Sequence, residues 1–203
     1  EDAAEMKKPF SLVKEELESI QARLREIEDE QVELGEQLDK IEKDDANARQ
    51  KVTIYANKLH TIKRFMEKRN LPGIPESFLT IFFGASDYIE ELARELEAPR
   101  VNIDSVNRWL EILANAMNDL EEETYRIVQN STLTEQLLQY SNRYRSFDDN
   151  VQAAFNESLH AFEVEFDYAK SLEIISKALD VVEPGVSARF INSYEKTREN
   201  IRF

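Results

Sequence analysis

Glu157-Ser158-Leu159-His160 sets a carboxylate and an imidazole three residues apart on a helix, the spacing of one half of a carboxylate-bridged di-metal centre. Such a centre needs a second pair facing the first, and the sequence has none. His160 and His60, the only histidines, therefore read as ordinary surface or interface residues. The many Glu-x-x-Glu spacings are expected by chance among 41 acids and read as solvated helix faces. There is no cysteine, which excludes a disulfide scaffold, a thiolate metal site and a cysteine nucleophile. No phosphate-binding loop or nucleophile elbow is present either. No enzymatic activity, metal or cofactor is expected.

A different kind of chemistry is written into residues 136–146. Gln136-Leu137-Leu138-Gln139-Tyr140-Ser141-Asn142-Arg143-Tyr144-Arg145-Ser146 contains no acid, although the chain around it is strongly acidic. Gln139, Asn142 and Arg143 follow i, i+3, i+4 spacing, so on a helix they share one face beside a seam of Leu137, Tyr140 and Tyr144. Amides and a guanidinium next to tyrosines form a hydrogen-bonding surface suited to a peptide or a carboxylate. The same side chains could instead cap a neighbouring helix or satisfy buried carbonyls, and spacing alone leaves both open.

The elements that must position this segment are helices. Residues 13–66 carry a 4-3 heptad. Val13, Ile20, Ile27, Leu34, Ile41, Ala48, Tyr55 and Ile62 take one core position, and Leu17, Leu24, Gln31, Leu38, Asp45, Val52, Leu59 and Met66 the other. A helix that long cannot fold into a compact globule, so its seam must meet other helices, and the chain reads as a rod. Burial is expected to weaken at Asp44-Asp45-Ala46-Asn47-Ala48, where one core position is acidic and the next only alanine.

Asn70-Leu71-Pro72-Gly73-Ile74-Pro75 stops this helix. A second is expected over about Glu76–Glu97, with Phe78, Ile81, Phe82, Ala85, Tyr88, Ile89, Leu92 and Leu96 on one side. A third starts after the N-cap Asn102 and carries Val106, Trp109, Leu110, Leu113, Met117, Leu120 and Ile127. Trp109 is most simply a core residue. Beyond Asn130 the pattern shifts phase to Leu133, Leu137, Tyr140, Tyr144 and Phe147, after a capping-box spacing at Thr132–Glu135, marking a fresh helix or a kink. One helix is expected over about Phe147–Val182, using Val151, Phe155, Leu159, Phe162, Phe166, Ala169, Leu172, Ile175 and Leu179. Glu183-Pro184-Gly185 ends it. A short last helix buries Phe190, Ile191 and Tyr194 and carries Arg198 and Arg202 near its carboxyl end.

Element lengths then suggest an all-α fold: an elongated rod of antiparallel three-helix spectrin-like repeats linked by long helices. Residues 1–45 form a long-helix segment shared with an upstream repeat, residues 46–130 a three-helix repeat, and residues 131–203 a carboxy-terminal helical bundle carrying the polar patch. A competing threading runs the second and third helices together down the length of the first. Left uncovered, the upstream seam favours a homodimer.

Charge limits the partners. The net charge is −15, and residues 71–130 alone hold 12 acids against 4 bases. Such a surface repels phosphate backbones and anionic lipid, so no nucleic acid and no direct membrane contact are expected, and the partners are proteins. No apolar run approaches the roughly 20 residues that span a bilayer. The chain begins at Glu1 without an initiator methionine and is expected to be part of a longer protein, in a reducing compartment.

Asn70–Pro75, the Gln139-Tyr140-Ser141-Asn142-Arg143-Tyr144-Arg145 stretch and Val182-Glu183-Pro184-Gly185 resemble the septation ring formation regulators of the EzrA family of Gram-positive bacteria, over the whole chain. The resemblance implies the carboxy-terminal part of a protein with an amino-terminal membrane helix, here absent, and a cytoplasmic rod of spectrin-like repeats at the division septum. It implies binding to the tubulin-like protein FtsZ, restraint of FtsZ ring assembly, and links to septal and cell-wall synthesis proteins. The family's glutamine, asparagine and arginine patch falls on Gln139, Asn142 and Arg143, with Tyr140, Ser141, Tyr144 and Arg145 around it. Where some members carry glycine this chain has Ser141, which suits a helix better than a sharp kink. The alternative function is a structural spacer or self-associating coiled-coil scaffold without an FtsZ contact in this segment.

Overall fold

A computed structural model describes residues 7–99 and 101–197, with side chains from residue 14 onward. The side chain of Val13 and the arginines Arg198 and Arg202 thus lie outside the described residues. Among these, every regular element is a helix: α1 (Lys7–Lys68), α2 (Glu76–Glu97), α3 (Ile103–Ser141), α4 (Asp149–Glu163), α5 (Tyr168–Val182) and α6 (Val186–Thr197). The all-α expectation holds. The chain divides into two compact units, residues 1–48 and 49–203, and α1 contributes to both.

In the first unit the heptad seam is present but uncovered. Leu17, Ile20, Leu24, Ile27, Leu34, Leu38 and Ile41 are 50–60% exposed. Asp44 and Asp45 are half-buried and Ala48 is buried. Burial therefore does not dip at the acidic centre of the heptad; it is weak upstream and strengthens from there. Periodicity alone could not show this, because a seam pattern reports which face is apolar and not whether a neighbour is present.

The second unit begins with the last five turns of α1, which bury Leu59, Ile62 and Met66. The Arg49 guanidinium donates to the Leu96 carbonyl, and Lys58 pairs with Glu121. Ser77 Oγ donates to Glu123 Oε1 at 2.6 Å and Ser105 Oγ to Glu95 Oε1 at 3.3 Å, so α2 runs antiparallel to the first half of α3. Both helix limits follow from local chemistry. Pro75 stands just before α2, and Ala98, extended at φ −62°, ψ 145°, precedes Pro99. Asn102 caps α3 by accepting from the Ser105 amide at 3.2 Å. The expected core of α2 and α3 is buried or half-buried, with Trp109 half-buried against Tyr88 at 5.8 Å between ring centroids.

Two expectations for the second half are corrected. Of the fresh helix or kink expected near residue 131, the fresh helix is overturned: α3 continues to Ser141, and Ser131, Leu133 and Thr134 are buried inside it. The phase shift at that point reflects a change of neighbour. The first half of the helix packs on α2, whereas its later turns pack on α5 and α6. Nor is Phe147–Val182 a single helix. It breaks after Glu163, where the Val164 and Glu165 amides both return to the His160 carbonyl and Phe166 takes φ 56°. Asp167 then caps α5 by accepting from the Lys170 amide at 2.9 Å. The left-handed conformation costs a side-chain-bearing residue roughly 1–2 kcal/mol, and tertiary contacts stabilise it here. The Phe166 ring lies over Gly73, and Tyr168 donates its hydroxyl to the Gly73 carbonyl at 2.6 Å. With that break Ala169 becomes exposed, and Phe147, expected in the seam, is 71% exposed in the turn before α4.

The core beneath the polar segment consists of Leu137, Leu138, Val151, Ile175, Leu179 and Val186. Around it Ser158 and Ser171 exchange buried hydrogen bonds where α4 and α5 approach closely, with Ser158 Oγ donating to the Ser171 carbonyl at 2.8 Å. Gly185 at φ 81° makes the turn into α6, whose Ser187 amide donates across the turn to Asp180 Oδ1 at 3.0 Å. These features bring α6 alongside the last turns of α3.

Candidate protein-binding site

The polar segment straddles the end of a helix. Gln139, Tyr140 and Ser141 belong to the last turn of α3, whereas Asn142 is its C-cap and Arg143, Tyr144 and Arg145 lie in the turn that follows. The expectation that Gln139, Asn142 and Arg143 share one helix face is therefore corrected. The reason is local: the Tyr144 and Arg145 amides both donate to the Ser141 carbonyl, which ends the regular ladder and rotates the chain toward α4. Ser141 itself is buried and donates to the Leu138 carbonyl at 2.7 Å, so it faces the core. A small hydroxyl at this position closes the helix end from within.

Apart from Ser141, the residues of the patch separate into three pairs. Tyr140 and Tyr144 point toward α5 and α6, where both hydroxyls donate to Glu183 Oε2 at 2.6 Å and Arg189 pairs with Oε1 of the same carboxylate. The hydrogen bond from Tyr140, with that from Tyr144 next in weight and Arg189 contributing, pushes the Glu183 carboxyl down to about 2. Donation to Glu183, reinforced by burial, pushes the Tyr144 phenol up to about 12. Asn142 and Arg145 turn the other way. The Arg145 guanidinium lies 3.5 Å from the centroid of the Phe155 ring, donates from Nε to Gln152 Oε1 at 3.1 Å and from Nη1 to Asn142 Oδ1 at 2.9 Å. They tie the turn to α4. Gln139 and Arg143 are exposed on the other side of the turn from the Asn142–Arg145 bond, with the Arg143 guanidinium 4.5 Å above the Tyr140 ring centroid.

Gln139 and Arg143 line a surface groove of about 450 Å³ together with Gln136, Tyr140, Phe190 and Ser193. Phe190 sets its ring edge against Tyr140 at 5.2 Å between centroids and forms the apolar side of the groove. The sequence placed Gln136 in the acid-free segment and Phe190 in the core of the last helix, but gave no reason to join them. Glu183, Arg189 and Ser193 were missed as neighbours of the patch. They are some 40 to 50 residues away in sequence, and no local spacing could relate them; the one available signal was the Val182-Glu183-Pro184-Gly185 motif.

Among the described residues no group of three His, Asp or Glu side chains could hold a metal ion. The Glu157–His160 pair sits on the exposed side of α4, where His160 Nδ1 is 3.3 Å from Glu165 Oε1. No helix among the described residues is long and apolar enough to cross a membrane.

The family model described as "Septation ring formation regulator, EzrA" matches residues 1–194. Similar curated proteins, each called septation ring formation regulator EzrA, come from Streptococcus sanguinis (77% identical over 203 residues), Streptococcus gordonii (68% over 203) and Streptococcus pneumoniae (62% over 194). The first two matches cover all of this chain and the third 96% of it. The chain spans only about a third of the length of these relatives, 34–35%. No solved structure matches it.

Proposed function

The chain belongs to the EzrA family of septation ring formation regulators, and from that membership we propose that it is a non-enzymatic regulator of cell division that binds FtsZ and restrains or positions FtsZ ring assembly. The match over residues 1–194 carries this reading. The geometry adds support. A helical scaffold presents polar side chains beside a groove with Phe190 as its apolar side, which suits binding. Acting on assembly then requires only different affinities for the FtsZ filament and its subunit. In this reading the protein lies on the cytoplasmic side of the cell membrane at the septum, held by an amino-terminal anchor outside this sequence, and also contacts septal and cell-wall synthesis proteins.

The antiparallel run of residues 49–68, α2 and the first half of α3 supports a spectrin-like repeat over residues 46–130. The core under Gln139 and Arg143 supports a carboxy-terminal bundle over residues 131–203, and the uncovered seam supports residues 1–45 as part of an upstream repeat. A decisive experiment is co-sedimentation of the chain with FtsZ filaments, comparing wild type with Gln139→Ala/Arg143→Ala and checking the fold of each by circular dichroism. Loss of pelleting in the folded double variant supports the reading; unchanged pelleting removes the patch from it.

A second reading, a self-associating scaffold with no FtsZ contact in this segment, is favoured by the half-exposed row from Leu17 to Ile41. It expects the FtsZ experiment to fail while the chain dimerises through that row.

A further inference from the structure

Arg143 is set apart from the other arginines around the site. Arg189 is paired with Glu183, and Arg145 is held by Gln152, Asn142 and the Phe155 ring. Among the described residues Arg143 has no carboxylate partner. It lies over Tyr140, with Nη1 at 3.5 Å from the Tyr140 hydroxyl, a contact at the limit of hydrogen bonding. Stacking on the ring holds the guanidinium plane while leaving its edge donors free, which preorganises it for a carboxylate. In a chain of net charge −15 the groove beside it is lined without a single acid. Glu183, the carboxylate bonded to Tyr140, already accepts from two tyrosines and pairs with Arg189. At physiological ionic strength charges more than about 8 Å away are largely screened, so acids beyond that distance do little to offset the local cation.

The remaining lining residues describe the ligand. Gln136 and Gln139 stand three residues apart on one face of α3, both exposed, and each offers an amide donor and acceptor to a peptide backbone. Opposite them, half-buried Phe190 offers an apolar seat and Ser193 a short hydroxyl that leaves the groove open. We propose that the α3/α6 groove binds an acidic linear peptide of a partner protein, with Arg143 taking a carboxylate, Gln136 and Gln139 the peptide backbone, and Phe190 an apolar side chain. This deepens the proposed function by adding α6 to the binding surface and naming the chemistry of the segment bound.

The test is selection of random twelve-residue peptides displayed in vitro on the full 203-residue chain, with counter-selection on Ser193→Trp, an exposed position where a large side chain fills the groove. Binders enriched in Asp or Glu are expected. Their affinity should fall about tenfold or more in Arg143→Gln, the loss of one charge-assisted contact. Arg143→Lys should retain part of it, because charge survives but the flat bidentate edge does not. Each variant is checked for an unchanged melting curve. Selected peptides without acid enrichment, or ones that bind folded Arg143→Gln or Ser193→Trp as well as wild type, would overturn the proposal, as would the absence of any binders. Acidic peptides that bind as expected while FtsZ fails to co-sediment leave the groove standing and remove FtsZ as its partner. FtsZ pelleting that persists in Ser193→Trp does the reverse.

Discussion

Gly73→Ala should destabilise the second unit although the residue sits in a surface loop. A Cβ at this position would stand 2.5–2.6 Å from three atoms of the Phe166 ring, below any ordinary carbon–carbon contact. Phe166 gives up its seat over the loop if the ring rotates away. Its backbone is held in a left-handed conformation at φ 56°, and the adjoining Tyr168 hydroxyl is bonded to the Gly73 carbonyl at 2.6 Å. The substitution therefore either forces the loop off the α4–α5 turn or pushes the ring out of its seat. Overpacking of this kind costs about 1–3 kcal/mol, which for a cooperative unit of this size lowers Tm by about 2–12 °C. Thermal unfolding followed by circular dichroism measures it. Gly84→Ala is the internal control: nothing lies within 4 Å of its Cβ, and replacing a glycine inside α2 should stabilise by about 0.5–1 kcal/mol. The two substitutions are thus expected to have opposite signs. A double-mutant cycle sharpens the result, since Gly73→Ala should cost almost nothing once Phe166→Ala has removed the ring. A Gly73→Ala protein that melts with wild type or above it, or that is equally damaging in the Phe166→Ala background, refutes the reasoning.

Other positions give equally direct outcomes. Gly185→Ala should cost about 1–2 kcal/mol in urea unfolding, because φ 81° lies in the region that a Cβ penalises. Glu183 is lowered in the fold to about 2 from its ordinary 4.5, so the folded state holds fewer protons than the unfolded one between those values. Its stabilisation is complete above about pH 4.5 and is lost as pH falls toward 2, and Glu183→Gln should flatten the melting temperature across that window. Tyr144, raised to about 12, stabilises below pH 10 and loses that contribution between pH 10 and 12, a second limb that Tyr144→Phe should remove. Leu24→Ser with Leu38→Ser should abolish concentration-dependent sedimentation while shifting the melting of residues 49–203 by no more than about 0.5 kcal/mol, as both side chains are more than half exposed.

Where the sequence carried strong local signals it determined the structure closely. Pro75 and Ala98-Pro99 bound α2, Asn102 caps α3, and Glu183-Pro184-Gly185 ends α5, because proline geometry, side-chain capping and the freedom of glycine act within a few residues. The apolar face of each helix was legible for the same reason, since a period of 3.6 is a property of the chain alone. Other features depended on residues far apart. The break at Phe166 contains no proline or glycine, and it exists because Gly73, more than 90 residues earlier, leaves room for the ring and accepts a bond from Tyr168. The continuation of α3 past residue 130 was hidden by a phase shift that records a new neighbour and not a new helix. The polar segment shows the division most plainly. Its composition marked it as a hydrogen-bonding surface, yet spacing grouped Gln139, Asn142 and Arg143 together. Only packing against α4, α5 and α6 decided that Arg145 and Asn142 brace the turn, that Tyr140 and Tyr144 share a carboxylate with Arg189, and that Arg143 stays exposed. Local sequence sets which groups are available, but burial and hydrogen bonding to distant partners decide which of them are left free to bind.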